Sequence, residues 1–193
     1  MKILAATGNK GKLREIREIL ENDDLTIVSP DEIGIKSDVL EDGLTFEENA
    51  IKKATAIRDI SGMNVLADDS GLCVDALGGM PGVISARFSG AGATDAKNIM
   101  KLLGLMEGKK DRKAKFVCVL ALALTDGRII TASGECHGII TDSPSGTGGF
   151  GYDPVFLEPS SGLTFAEMPQ DEKNRISHRR RALEELRIII KEL

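Results

Sequence analysis

The sequence predicts an α/β fold with a mixed β-sheet flanked by helices. Short apolar runs alternate with helical patterns through the first half of the chain. A long apolar run, an Asp126-Gly127 turn and a return run, "KFVCVLALALTDGRIITASGE", read as a hairpin, so the sheet cannot be purely parallel. Hydrophobic residues make up 41% of 193 residues, enough for a real core in one large domain or two closely joined lobes.

The apolar run from Ile3 to Ala6 predicts a buried strand over residues 2–6. Residues 10–21 predict a helix with Leu13, Ile16, Ile19 and Leu20 on one side, and residues 25–28 a short second strand stopped by Pro30. Thr45-Phe46-Glu47-Glu48 is a capping box opening a helix that carries Phe46, Ala50, Ala54 and Ile57 and stops at Gly62. "NVLADDSGLCVDAL" is strand-like on both sides of a polar break. Thr94 is an N-cap for a helix bearing Ile99, Met100 and Leu103. After the hairpin comes a glycine-rich stretch, "SGTGGFGYDP". A last helix from about Ser177 points Leu183, Leu186, Ile190 and Leu193 inward.

The formal net charge of -5 argues against a general nucleic-acid binder, though a local basic patch can still hold a small anion. No apolar run reaches the length of a bilayer span and no signal-peptide pattern opens the sequence; with thiols that suit a reducing cytosol, a cytoplasmic protein is expected. Cys73, Cys118 and Cys136 form no CxxC pair and read as buried free thiols. With only His137 and His178, a structural zinc site is not expected.

Four stretches carry chemistry. "TGNKGK" joins the first strand to the first helix, and it fits neither the Walker nor the Rossmann pattern. Its glycines still let backbone N–H groups approach an anion at a helix N-terminus, with Lys10 and Lys12 supplying charge. The other reading is a plain strand–helix turn. "LADDSG" places Asp68 and Asp69 side by side, so in an extended segment one can face a site while the other serves as a structural partner. A carboxylate at a strand end suits Mg²⁺, and the alternative is an Asx-type turn. Glu41 is either a second ligand or a solvated loop acid. "GTGGFGYDP" brings Phe150 and Tyr152 to a costly glycine loop, either to stack on a flat ring or as core. In "EKNRISHRRRALEE", His178 and Arg179 fall in the first helical turn, where a cation is unfavourable unless an anion or acceptor sits there. That singles them out over Arg180 and Arg181.

A phosphate loop, paired acids, an aromatic platform and a basic set fit a nucleoside triphosphate. On "LAATGNKGK", "GLTFEENAIKKA", "LADDSGLCVDALGGMPGVISARFSG", "GTGGFGYDPVF" and "EKNRISHRRRAL", the sequence resembles the inosine/xanthosine triphosphate pyrophosphatases along essentially its whole length. The resemblance implies one nucleoside-triphosphate pyrophosphatase domain over residues 1–193. It also implies an elongated mixed sheet, two lobes with a nucleotide cleft between them, and a homodimer. It implies Mg²⁺-dependent hydrolysis of ITP, dITP and XTP to monophosphate and pyrophosphate, which keeps these nucleotides out of DNA and RNA. By the same resemblance Thr7, Gly8, Asn9, Lys10, Gly11 and Lys12 bind the triphosphate. Asp69 is the general base and a metal contact, and Glu41 is a further metal ligand, with Asp42, Glu47 and Asp68 as nearby alternatives. Ser70 touches substrate. Phe150, Gly151, Tyr152, Asp153 and Lys173 line the nucleoside site, and His178 with Arg179 reads the base. The rival readings are a pyrophosphatase of other modified nucleotides and a non-catalytic nucleotide sensor.

Overall fold

The computed structural model describes residues 1–20, 25–36 and 39–191. The expected helix end at Glu21 and the inward Leu193 lie outside the described residues.

Strand β1 (Lys2–Ala5) leads into helix α1 (Lys10–Leu20), and β2 (Thr26–Val28) follows. Helix α2 (Phe46–Ser61) opens on the expected capping box, in which the Thr45 side chain accepts from the Glu48 N–H. It closes on Gly62, which takes a left-handed conformation. Strand β3 (Asn64–Val74) runs without the expected polar break. Its residues are buried almost throughout, the pattern of an interior strand covered on both faces, so Asp68 and Asp69 sit inside the strand.

Helix α3 (Asp95–Met106) starts at the Thr94 cap. Its buried face is Ile99, Leu102 and Met106, with Leu103 half-buried. Met100 is turned outward, because the residue after Ile99 lies about 100° further round the helix. Strands β4 (Lys113–Ala123) and β5 (Ile129–Ile140) follow, joined at the expected turn by a hydrogen bond from the Leu124 N–H to the Arg128 carbonyl at 2.9 Å.

Two short strands, β6 (Phe156–Glu158) and β7 (Leu163–Thr164), and helix α4 (Gln170–Ile176) were not expected. Helix α5 (His178–Lys191) is last. The strand order is β2-β1-β3-β4-β5-β6-β7. β1 pairs parallel with β2 and β3, whereas β5/β6 and β6/β7 are antiparallel, so the sheet is mixed as the hairpin required. No described helix is long and apolar enough to cross a membrane.

The chain divides into two compact units. The first comprises Met1–Asp69, Cys118–Gly134 and the residues from His178 onward; the second comprises Ser70–Val117 and Glu135–Ser177. Two apolar clusters build the first. One joins Ile16, Leu66, Leu120 and Leu183, and the other joins Leu4, Ala50, Ile57 and Ala121. Helix α5 lies so close to β5 that a Cβ on Gly134 would strike the His178 carbonyl and the Ala182 backbone nitrogen, which explains glycine at that position. The second unit is built around Phe116, Phe156 and Phe165, whose ring centroids are 4.5, 4.9 and 5.8 Å apart. All three cysteines are free, with Cys118 and Cys136 buried and Cys73 only half so. Burial pushes the Cys118 thiol up to about 12.

Candidate active site

In the first unit, the loop from β1 to α1 is tied by Asn9. Its side-chain oxygen accepts from the Gly11 N–H at 2.8 Å and the Lys12 N–H at 3.2 Å, and its carbonyl accepts from the Leu13 N–H. Asn9 therefore caps the helix through its side-chain oxygen. Gly8 is exposed, and a Cβ there would meet nothing within 4 Å.

The two neighbouring acids of β3 have opposite surroundings, as strand alternation requires. Asp68 is 1% exposed. Its Oδ1 lies 3.2 Å from the Lys12 ammonium, and its Oδ2 accepts from Arg179 Nε at 3.1 Å and Nη2 at 3.0 Å. Arg179 Nη1 donates to Glu15, which is itself buried. Burial alone would raise the Asp68 pKa, but the charges of Lys12 and Arg179, with Lys53, hold it well below the usual carboxylate range.

Asp69 is 5% exposed and accepts from Asn49 Nδ2 at 3.0 Å. Burial raises its pKa. The Asn49 bond and the Lys12 charge oppose that rise, and the Glu41 charge adds to it. Glu41 is bound by Lys53, whose side chain lies on the buried side of α2 beside Ala54. Among the other candidate ligands, Asp42 is exposed and pairs with Lys52, and Glu47 accepts from the Thr131 hydroxyl. No group of three or more His, Cys, Asp or Glu is gathered to hold a metal among the described residues.

Arg179 answers the sequence puzzle of a cation at a helix start: the required anions are Asp68 and Glu15. Its Nε, Nη1 and Nη2 all bond to those carboxylates, so its first duty in this geometry is to hold acids, not to reach for a base. His178, beside it at the first position of α5, is 6% exposed.

In the second unit the Asp153 carboxylate pins the glycine loop from within. Asp153 Oδ2 accepts from the Phe150 N–H at 2.8 Å and from Lys173 Nζ at 2.6 Å, and Asp153 and Lys173 are both nearly fully buried. The same carboxylate fills the space where a Cβ on Gly149 would lie; the Gly149 φ of 72° also calls for glycine. The Lys173 ammonium sits 4.8 Å from the half-buried Phe150 ring centroid. Of the two readings open for Tyr152, the core one describes its position. It is 4% exposed, packs in the core, and donates its hydroxyl to the Ser85 carbonyl at 2.9 Å. Ser70, a β3 residue, is half-buried.

Residues 3–189 match the model of the Ham1 family. The chain belongs to that family. Among Ham1 relatives, the dITP/XTP pyrophosphatase of Geobacter sulfurreducens is 52% identical, over 94% of this chain and 92% of that protein. The dITP/XTP pyrophosphatase of Escherichia coli K12 is 48% identical over 94% of each. The structure of the Staphylococcus aureus Ham1 protein matches at a TM-score of 0.89 and 39% identity, covering 100% of this chain and 99% of that one. A Ham1 protein from Coxiella burnetii matches at 0.90 and 41%, covering both chains fully. The sequence resemblance and the α/β mixed-sheet class therefore stand.

Three organising residues of this Ham1 chain escape a reading of motifs: Glu15, Asn49 and Lys53. A signal was present. Asn49 and Lys53 are four apart and each directly precedes a buried alanine of α2, so two polar side chains lie along the apolar stripe. Glu15 likewise precedes Ile16 on the buried side of α1.

Proposed function

We propose that this protein hydrolyses non-standard purine nucleoside triphosphates (ITP, dITP and XTP) to the monophosphate and pyrophosphate. The observation that carries the chemistry is the division between Asp68 and Asp69. One is fully neutralised by cations, and the other is held by an amide with its pKa raised. A carboxylate raised towards working pH is the better proton acceptor, which supports Asp69 as the base that takes a proton from the attacking water. Asn49 fixes the rotation of that carboxylate. The names carried by the relatives support the substrate class.

Lys12, Lys10 and the start of α1 are assigned to the phosphates. The open space at Gly8 supports close approach of an anion to the backbone there. Phe150, Gly151, Tyr152, Asp153 and Lys173 are assigned to the nucleoside, with Asp153 and Lys173 shaping the loop from within. Ser70 is kept as a substrate contact and His178 as a reader of the base, while Arg179 serves by holding Asp68 and Glu15.

A divalent cation, Mg²⁺, belongs to the same reading. Glu41 and Asp69 offer hard oxygen donors, and the Glu41 charge is already felt at Asp69, a repulsion that a cation would relieve. Mg²⁺ is commonly held by one or two carboxylates, with phosphate oxygens and water completing its shell, which suits so sparse a donor set. When bound it would neutralise charge on the triphosphate and on the departing pyrophosphate. The homodimer rests on the family resemblance, and the cytoplasmic location on the free thiols, which suit a reducing compartment. The deciding experiment incubates the protein with ITP, XTP, GTP, ATP and a modified UTP in the presence of Mg²⁺. IMP and pyrophosphate from ITP, with ATP spared, is the expected result. Accumulation of IDP and single phosphate, or equal turnover of the modified UTP, overturns it.

A further inference from the structure

Gly151 takes a φ of 61°, a conformation suited to glycine, and has no side chain by which the fold can hold it. Its backbone N–H is the handle, and it donates to Asp95 Oδ2 at 2.7 Å, across 56 residues of sequence. Asp95 is the first residue of α3, where a carboxylate is favoured by the positive end of the helix. The next loop residue, Tyr152, is tied through its hydroxyl to the Ser85 carbonyl.

That carbonyl also accepts from Asn98 Nδ2 at 3.3 Å. Asn98 lies one turn along α3 from Asp95, donates to the Ala86 carbonyl at 3.1 Å, and accepts from the Ser89 N–H at 2.8 Å. The first turn of α3 thus holds two consecutive residues of the glycine loop, Gly151 directly and Tyr152 through Ser85. The Tyr152 phenol is pushed up by burial and further by the Asp95 charge, as expected of a carboxylate lying close to it.

We infer that Asp95 is a positioning residue for substrate recognition: by holding the Gly151 amide it fixes the Phe150–Tyr152 turn assigned to the nucleoside. This rests on the proposed function, since the loop matters to catalysis only if the nucleoside sits against it. The role is separable from merely supporting α3, because Thr94, which caps the same helix end through the Lys97 N–H, has no part in the Gly151 bond.

The test compares Asp95→Ala, Asp95→Asn and Thr94→Ala. Asp95→Ala is expected to raise KM for ITP about tenfold, the scale of one hydrogen bond to a charged group, with little change in kcat. The inhibition constant of inorganic tripolyphosphate, which has no base to place, should stay unchanged. Asp95→Asn keeps an acceptor oxygen and should restore most of the KM. Hydrogen exchange at the Gly151 amide should accelerate in Asp95→Ala alone. A KM shift equal in Thr94→Ala, a parallel rise in the tripolyphosphate constant, or unchanged Gly151 exchange in Asp95→Ala overturns the inference. A wild-type protein that hydrolyses neither ITP nor XTP overturns the functional reading and the nucleoside role with it, whereas the exchange measurement still decides the tether by itself.

Discussion

The two units organise their candidate residues by different physics. In the first, side chains bond to side chains, and the bonds are charged: Glu15, Arg179, Asp68 and Lys12 form one chain of ions, and Glu41 with Lys53 a second pair. In the second, the loop of residues 146–153 is held chiefly through its backbone. Gly151 N–H reaches Asp95, Phe150 N–H reaches Asp153, and Gly148 N–H reaches the Ala166 carbonyl. On the proposed assignments, the region that meets phosphates and a proton has set charge. The region proposed to meet a flat ring has a set shape, and glycine backbone gives shape only when its amides are tied down.

The sharpest way to break this comparison is to remove the centre of the ion chain. Arg179→Ala leaves Asp68 and Glu15 buried without their shared cation, and should lower stability by about 3–5 kcal/mol in urea unfolding. A loss within the range of an ordinary surface substitution would mean that the charge chain is ornamental. The chain also has a pH signature. The Asp68 pKa is depressed in the folded state, so its contribution is present above the unfolded value of about 4 and is lost as pH falls through the lower folded value. Unfolding midpoints measured between neutral pH and strongly acidic pH should drop in the wild type and drop less in Asp68→Asn.

The next substitution separates neighbours. Asp69→Asn should lower kcat by about a hundredfold or more, the scale of a lost general base. Its unfolding free energy at neutral pH should match or slightly exceed the wild-type value, because the ionised Asp69 is disfavoured by burial and the amide carries no charge. An active Asp69→Asn enzyme would move the proton acceptor elsewhere, and Asp68, neutralised as it is, would be a poor heir.

Lys12→Ala should weaken binding of ITP about tenfold while leaving inosine binding little changed, since only the triphosphate needs the cation. Equal weakening of both would make the α1 loop a capped turn and nothing more. The smallest effect belongs to the second unit. Tyr152→Phe removes one neutral hydrogen bond to a carbonyl that Asn98 still serves, so it should cost about 1 kcal/mol of stability. A cost as large as that of Arg179→Ala would erase the distinction between the two regions.

The long elements were legible in the sequence because their periodicity is strong: α1, α2 and α5 begin within a residue or so of where their patterns put them, and the β4–β5 hairpin turns at the expected place, although β5 runs on to Ile140, past the Glu135 at which its pattern stops. β6 and β7 have three and two residues, too few for any alternation to register. Helix α4 had a local signal, Pro169 followed by Gln170-Asp171-Glu172, but it sits beside α5 and was absorbed into one basic stretch. Asp68 and Asp69 suggested a turn because two charges rarely lie inside a strand. What permits it is Arg179, 111 residues away, and no local reading reaches that far. For Tyr152 the sequence could not decide between platform and core, for a related reason. Glycine neighbours suggest exposure, and the Ser85 carbonyl that claims its hydroxyl is 67 residues distant.

That separation between Asp68 and Arg179 has a consequence for how the molecule comes into being. Glu15 and Asp68 are synthesised long before the arginine that neutralises them, which is 164 residues later than the first and 111 later than the second. At about 5–20 residues per second, roughly 6–22 seconds pass between Asp68 and its partner. For that interval Lys12 is on hand for Asp68 but the cation that joins Asp68 to Glu15 is missing, so burying both acids carries a cost until Arg179 arrives. The unit that holds Glu15 and Asp68 can close only once Arg179 has joined them.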